Sequence, residues 1–74
     1  MLAIQFGKVL QDMRKNANLS QEKLAELAGY DRTYISLLER GLRQPTITTL
    51  FDISKALKIS PSSLVKAVEE YKAN

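Results

Sequence analysis

Arg32, Thr33 and Ser36 are three hydrogen-bonding side chains placed at i, i+1 and i+4. On a helix they share one side, opposite the apolar pair Ile35 and Leu38. A guanidinium is a rigid fork of donors that can bond guanine O6 and N7 together. Threonine offers a hydroxyl and a methyl, and serine can donate or accept. The chemistry open to this trio is recognition of a polar edge, and the edge of a base pair fits it. The bland alternative is a solvated helix face, on which small polar residues are common. Tyr34 is expected to reach a phosphate or stack near a backbone. Leu37 lies near the same side, where it would either touch a thymine methyl or stand as an exposed leucine.

Such a trio works only if a helix presents it, and the spacing of apolar residues supplies helices throughout. Phe6, Val9, Leu10, Met13 and Ala17 make one amphipathic helix. Ser20 stands where an N-cap belongs, with Glu22 at the positive end of the helix dipole. Leu24, Ala25, Leu27 and Ala28 form the apolar face of a second helix, and Gly29 ends it as a left-handed cap. Asp31 is the next expected N-cap, and Gly41 closes the third helix. Thr46 caps a fourth, whose inner face is expected to hold Ile47, Leu50, Ile53 and Leu57. Ser60-Pro61 opens a fifth, with proline at the favoured first position. Leu64, Val68 and Tyr71 are spaced for one face of it. No strand alternation, repeat or low-complexity linker appears in the sequence.

Counted from Gln21, Ala25 falls at position five, Gly29 at nine, and Ile35 and Leu38 at fifteen and eighteen. Two helices crossing steeply need a small residue at five, a turn at nine and apolar anchors at fifteen and eighteen. All are met in register, which reads as a helix-turn-helix.

Composition narrows the function classes. The chain has 74 residues, a net charge of +3, and neither cysteine nor histidine. One small domain is expected, without disulfides or the usual zinc sites. The commonest nucleophile–base pairings cannot form, the acids are scattered and no glycine-rich phosphate loop is present, so no catalytic residues, metal or cofactor are expected. No apolar run approaches a membrane span, and the N-terminus lacks a basic n-region and a cleavage site, so neither a span nor a secretory signal is expected. Phe6, Phe51 and Tyr71 are not interleaved with basic residues and read as core or interface. A cysteine-free chain fits a reducing cytosol.

From Arg14 to Leu57, the strings RKNANLSQEKLAELAG and ERGLRQPTITTLFDISKAL resemble the Xre-type helix-turn-helix family of phage repressors and Cro proteins. The string DRTYIS followed by ER is similar to the controller proteins of bacterial restriction–modification systems. The resemblance implies an all-α, five-helix, lambda-repressor-like DNA-binding domain over residues 1–74. It places Arg32, Thr33 and Ser36 at base-facing positions, and Gln21 at a phosphate that fixes docking angle. It pairs Arg14 with Glu39 as a buried ion pair, and puts Arg43, Gln44 and Thr46 in a loop that grips the backbone. Arg40 joins the phosphate group by its charge.

The implied function is a sequence-specific regulator of transcription, bacterial or phage, that autoregulates and controls restriction gene expression in the cytoplasm, associated with the nucleoid. An antitoxin-like interaction module on the same fold and a phage-type repressor are the alternatives. One reading helix spans few base pairs, so a homodimer on a two-fold symmetric duplex operator is expected. Leu57, Ile59, Leu64, Val65 and Val68 offer apolar surface beyond one small core and define an expected interface within residues 57–74. RNA polymerase is a further candidate partner.

Overall fold

The computed structural model describes residues 1–72. It holds five helices in order: α1 (Leu2–Asn16), α2 (Gln21–Ala28), α3 (Arg32–Glu39), α4 (Ile47–Leu57) and α5 (Pro61–Glu70). No strand occurs among the described residues. The helix α1 packs on α3 and α5, α2 packs on α3 and α4, and α4 packs on α5. The recognition segment α3 is therefore seated between α1 and α2.

Helix starts follow the sequence closely. The side chains of Ser20, Thr46 and Ser60 accept the backbone N–H of Lys23, Thr49 and Ser63 at 3.0, 3.1 and 3.1 Å. Each satisfies a donor that the helix itself cannot. Asp31 occupies the N-cap position of α3, but its carboxylate makes no capping bond.

The ends of α1 to α4 share one device, whereas α5 runs into extended backbone at Tyr71. Asn18, Gly29, Gly41 and Lys58 all have positive φ, at 60°, 83°, 73° and 60°. The following residue then donates back across the last turn, as Leu19 does to Arg14 O at 3.1 Å and Ile59 to Ser54 O at 3.0 Å. The two glycines adopt this conformation freely, and asparagine tolerates it. Lys58 pays a Cβ penalty there.

Among the described residues the core is a cluster of Phe6, Val9, Leu10, Leu24, Ala25, Ile35, Leu38, Ile53, Leu64 and Val68, with Ala3 also buried. Ile35 and Leu38 are fully buried, as the motif requires. Gly7 allows the closest approach of α1 to α3, since a Cβ there would lie 2.5 Å from the carbonyl oxygens of Leu38 and Glu39.

Three apolar residues leave their expected faces, the first being Ala17, which is exposed as the C-cap residue just past α1. Leu27 is 50% exposed and Ile47 is 71% exposed. On α2 the buried arc runs through Leu24, Ala25 and Ala28, and Leu27 falls just beyond it. On α4 the buried arc includes Thr49, Ile53 and Ser54, so Ile47 in the first turn points past its edge. Ser54 occupies a fully buried position because its hydroxyl donates to Leu50 O at 2.7 Å, satisfying its polar group within the helix.

Candidate nucleic-acid interface

The reading trio stands on α3. Arg32 and Thr33 are exposed in its first turn, and Ser36 is half-buried one turn later. Leu37 is half-buried, neither a core residue nor a fully solvated one. Asp31, Arg32 and Thr33 together form the free end of the helix. Ile35 and Leu38 hold the opposite side in the core.

The C-terminal end of α3 is fixed by charge. Arg14 and Glu39 are buried, and Arg14 Nε and Nη2 donate to the two carboxylate oxygens of Glu39, the latter at 3.1 Å. Arg14 Nη1 also donates to Leu19 O at 2.9 Å. Gln21 Nε2 donates to Glu39 Oε1 at 2.9 Å. A carboxylate can only accept, so the amide nitrogen must face it. One network thus joins α1, the α1–α2 loop, α2 and α3. Gln21 has one amide N–H committed inward, leaving the other N–H and its carbonyl oxygen for an outside partner.

The loop from Arg40 to Thr46 is where backbone contacts were expected. Arg40, Arg43 and Gln44 are exposed. Arg40 Nε reaches Ser36 O at 3.4 Å, an exposed and long contact that leaves the guanidinium accessible. Thr46 is exposed too, but its hydroxyl is engaged with Thr49 N and with Thr49 Oγ1, the latter at 2.9 Å. Its side chain first serves α4.

Tyr34 departs from the sequence expectation. Its side chain is half-buried, and its hydroxyl lies 3.2 Å from Thr49 Oγ1 on α4 rather than projecting outward. Beside it stands Tyr30, with ring centroids 5.0 Å apart and planes inclined by 35°. The Tyr30 hydroxyl donates to Asp52 Oδ2 at 2.7 Å and approaches Thr49 Oγ1 at 3.5 Å. The Thr49 contact lowers its pKa, but the Asp52 carboxylate and desolvation raise it by more, so the phenol lies above its ordinary value and remains a donor. Neither Tyr30 nor Asp52 stood out in the sequence, because the signal is a contact between residues far apart in the chain.

Two of the five residues expected at an interface within residues 57–74 are taken up by the core of their own chain. Leu64 is fully buried and Val68 is 7% exposed, both against the core of their own chain. Helix α5 is amphipathic, and these two residues face inward. Leu57 and Ile59 are half-buried at the core's margin, and Val65 is exposed. Residues 73 and 74 lie outside the described residues. Exposed large apolar side chains are Met1, Leu2 and Ile4 at the start of α1, Leu27 on α2, Leu42 in the loop after α3, Ile47 and Phe51 on α4, and Val65 on α5. An apolar groove of about 180 Å³ is lined by Leu2, Phe6, Leu50 and Val65 among others.

Among the described residues no cluster of carboxylates could hold a metal, and no helix is long and apolar enough to cross a membrane.

The family model described as Helix-turn-helix matches residues 10–64. The chain is 38% identical over 64 residues to an uncharacterized HTH-type transcriptional regulator, y4dJ, of Sinorhizobium fredii, covering 86% of this chain and 83% of that protein. It is 43% identical over 61 residues to the control protein C.BamHI of Bacillus amyloliquefaciens, covering 81% and 75%. The crystal structure of the restriction-modification controller protein C.AhdI from Aeromonas hydrophila superposes with a TM-score of 0.81 at 39% identity, over 84% of this chain and 94% of that one.

Proposed function

The chain belongs to the helix-turn-helix family, and from that premise we propose that it is a sequence-specific regulator of transcription that binds duplex DNA as a homodimer. The observation that carries this reading is α3 itself. Arg32 and Thr33 are solvent-exposed on a helix whose other side is fully buried and whose far end is fixed by a buried ion pair. Such a helix offers donors in a fixed geometry to the edges of bases in a major groove. Arg32, Thr33 and Ser36 read bases, with Leu37 beside them. Gln21, Arg40, Arg43 and Gln44 bond phosphates and set the docking angle, and Thr46 supports them through its backbone.

The likeness to C.BamHI and C.AhdI supports a role as controller of a restriction–modification system. In that role the protein acts in the cytoplasm on a two-fold symmetric operator, and RNA polymerase is the further partner where the operator adjoins a promoter. The dimer forms through the exposed apolar residues of α4 and α5, Ile47, Phe51 and Val65, which a lone chain leaves in water.

Selection of bound duplexes from a random pool, at stated salt, tests the whole reading. Enrichment of a symmetric site, with half-sites spaced by about 34 Å or a multiple, is the expected result. Flat enrichment would reduce the protein to a non-specific polyanion binder and overturn the proposal.

A further inference from the structure

The two ends of α3 are held differently. At Glu39 the hold is the buried ion pair with Arg14. At the reading end, where Arg32 and Thr33 are presented, Asp31 makes no capping bond. Tyr30 meets that end instead. It immediately precedes Asp31, and its hydroxyl donates to the half-buried Asp52 on α4 at 2.7 Å. Its ring packs on Tyr34, whose hydroxyl is 3.2 Å from Thr49 Oγ1. Thr49 Oγ1 is in turn 2.9 Å from Thr46 Oγ1, which caps α4 beside the loop that carries Arg43 and Gln44. A continuous set of polar contacts therefore joins the reading end of α3 to the loop of expected phosphate contacts.

We propose that Tyr30 is a positioning residue for sequence readout, its hydrogen bond to Asp52 fixing the angle at which α3 presents Arg32 and Thr33. The inference rests on the DNA-binding reading above. The geometry makes the lever explicit. Eight residues of helix span about 12 Å, so a tilt of roughly 5° about the Glu39 end moves the other end by about 1 Å. A bidentate contact tolerates only about half of that. Of the two contacts of the Tyr30 hydroxyl, the one to the carboxylate is short and charge-assisted and carries the restraint, whereas the one to Thr49 is long. Tyr30 touches no base in this arrangement; it acts through the helix.

The test compares wild type, Tyr30→Phe, Asp52→Ala, Asp52→Asn and the Tyr30→Phe/Asp52→Ala double variant. Each is titrated against a duplex enriched from a random pool and against a scrambled duplex of the same length, at two salt concentrations. Thermal melts show that each variant is folded at the assay temperature. Tyr30→Phe is expected to lower the ratio of enriched to scrambled affinity roughly three- to tenfold, the range for one lost hydrogen bond. Scrambled-duplex affinity and the salt slope should stay unchanged in this variant, because no phosphate contact is removed. Asp52→Asn keeps an acceptor and retains most of the ratio, whereas Asp52→Ala loses it. On the ratio, the double variant should match the Tyr30→Phe single, since both remove one interaction.

A wild-type protein that binds both duplexes alike overturns the DNA-reading proposal itself. With wild-type preference intact, an unchanged ratio in Tyr30→Phe overturns the role of Tyr30. So does a parallel loss of both affinities, which would mark a merely structural side chain. Additive effects in the double variant would likewise break the assignment to the Tyr30–Asp52 bond.

Discussion

At the scale of single residues, readout and grip separate by chemistry. Arg32→Ala is expected to cost about 1–3 kcal/mol on the preferred site and to relax the preference at one base position. Arg43→Ala should weaken all sequences alike and reduce the salt slope by about 1. Titrations on enriched and scrambled duplexes distinguish them; equal losses on both duplexes for both variants would remove Arg32 from the reading set. Glu39→Gln leaves the Arg14 guanidinium buried without its counter-charge, a change that costs about 3–5 kcal/mol. In a domain this small that is a large share of the total stability, and urea unfolding measures it directly. Tyr30 gives a pH signature. Its pKa lies above the ordinary 10.0, with Thr49 lowering it and Asp52 and desolvation raising it by more. The folded chain therefore keeps this proton to higher pH than the unfolded one. The associated stability is complete below about pH 10 and is lost as pH rises through the folded-state pKa. Urea midpoints should fall more steeply with alkalinity in wild type than in Tyr30→Phe, and identical profiles would refute the assignment. The resemblance named the Arg14–Glu39 pair and the geometry contains it. The Tyr30–Asp52 bond was invisible beforehand, because each residue alone looks like an ordinary polar surface choice.

At the scale of elements, starts were more legible than ends. Ser20, Thr46 and Ser60 cap their helices because a side-chain oxygen at that position has one local target, the N–H three residues on. Gly29 and Gly41 were equally readable as left-handed closures. Lys58 was not, since a lysine does not announce positive φ, and Asn18, whose type tolerates it, gave only a weaker sign than glycine. Lys58→Gly removes that penalty at φ 60°. Its gain is partly offset by greater freedom in the unfolded state. We expect a net stabilisation of about 0.5–1 kcal/mol, visible as a rise in Tm of a few degrees. A lower Tm would mean that the lysine side chain contributes more than its backbone costs. Ile47 and Leu27 show the limit of periodicity: a spacing of three or four places a residue within a broad arc, and only packing decides where the arc ends.

At the scale of the whole molecule, the relocated apolar surface decides what a second copy would meet. Phe51 is 58% exposed one turn after Ile47 on α4. If the proposed dimer covers this residue, Phe51→Glu is expected to shift sedimentation toward monomer at least tenfold in concentration, since it would place a charge in the covered apolar surface. Its thermal stability as a monomer should change little, because the side chain lies outside the core. A wild type that stays monomeric at high micromolar concentration would refute the dimer. Leu64→Ala should behave in the opposite manner, destabilising the fold by about 2–5 kcal/mol because it empties a fully buried site.

The sequence by itself determined the five-helix order, the helix-turn-helix register and the placing of a polar trio on one side of α3. Those depend on local periodicity, caps and turns, which act over a few residues and are written in residue type. Tertiary structure alone decided that Tyr34 turns its hydroxyl inward, that Leu64 and Val68 belong to the core, and that Tyr30 reaches Asp52. Each of those outcomes depends on how α4 and α5 close over the motif. The same side chain is a surface group or a buried one according to which helix lies against it, and only the packed molecule fixes that.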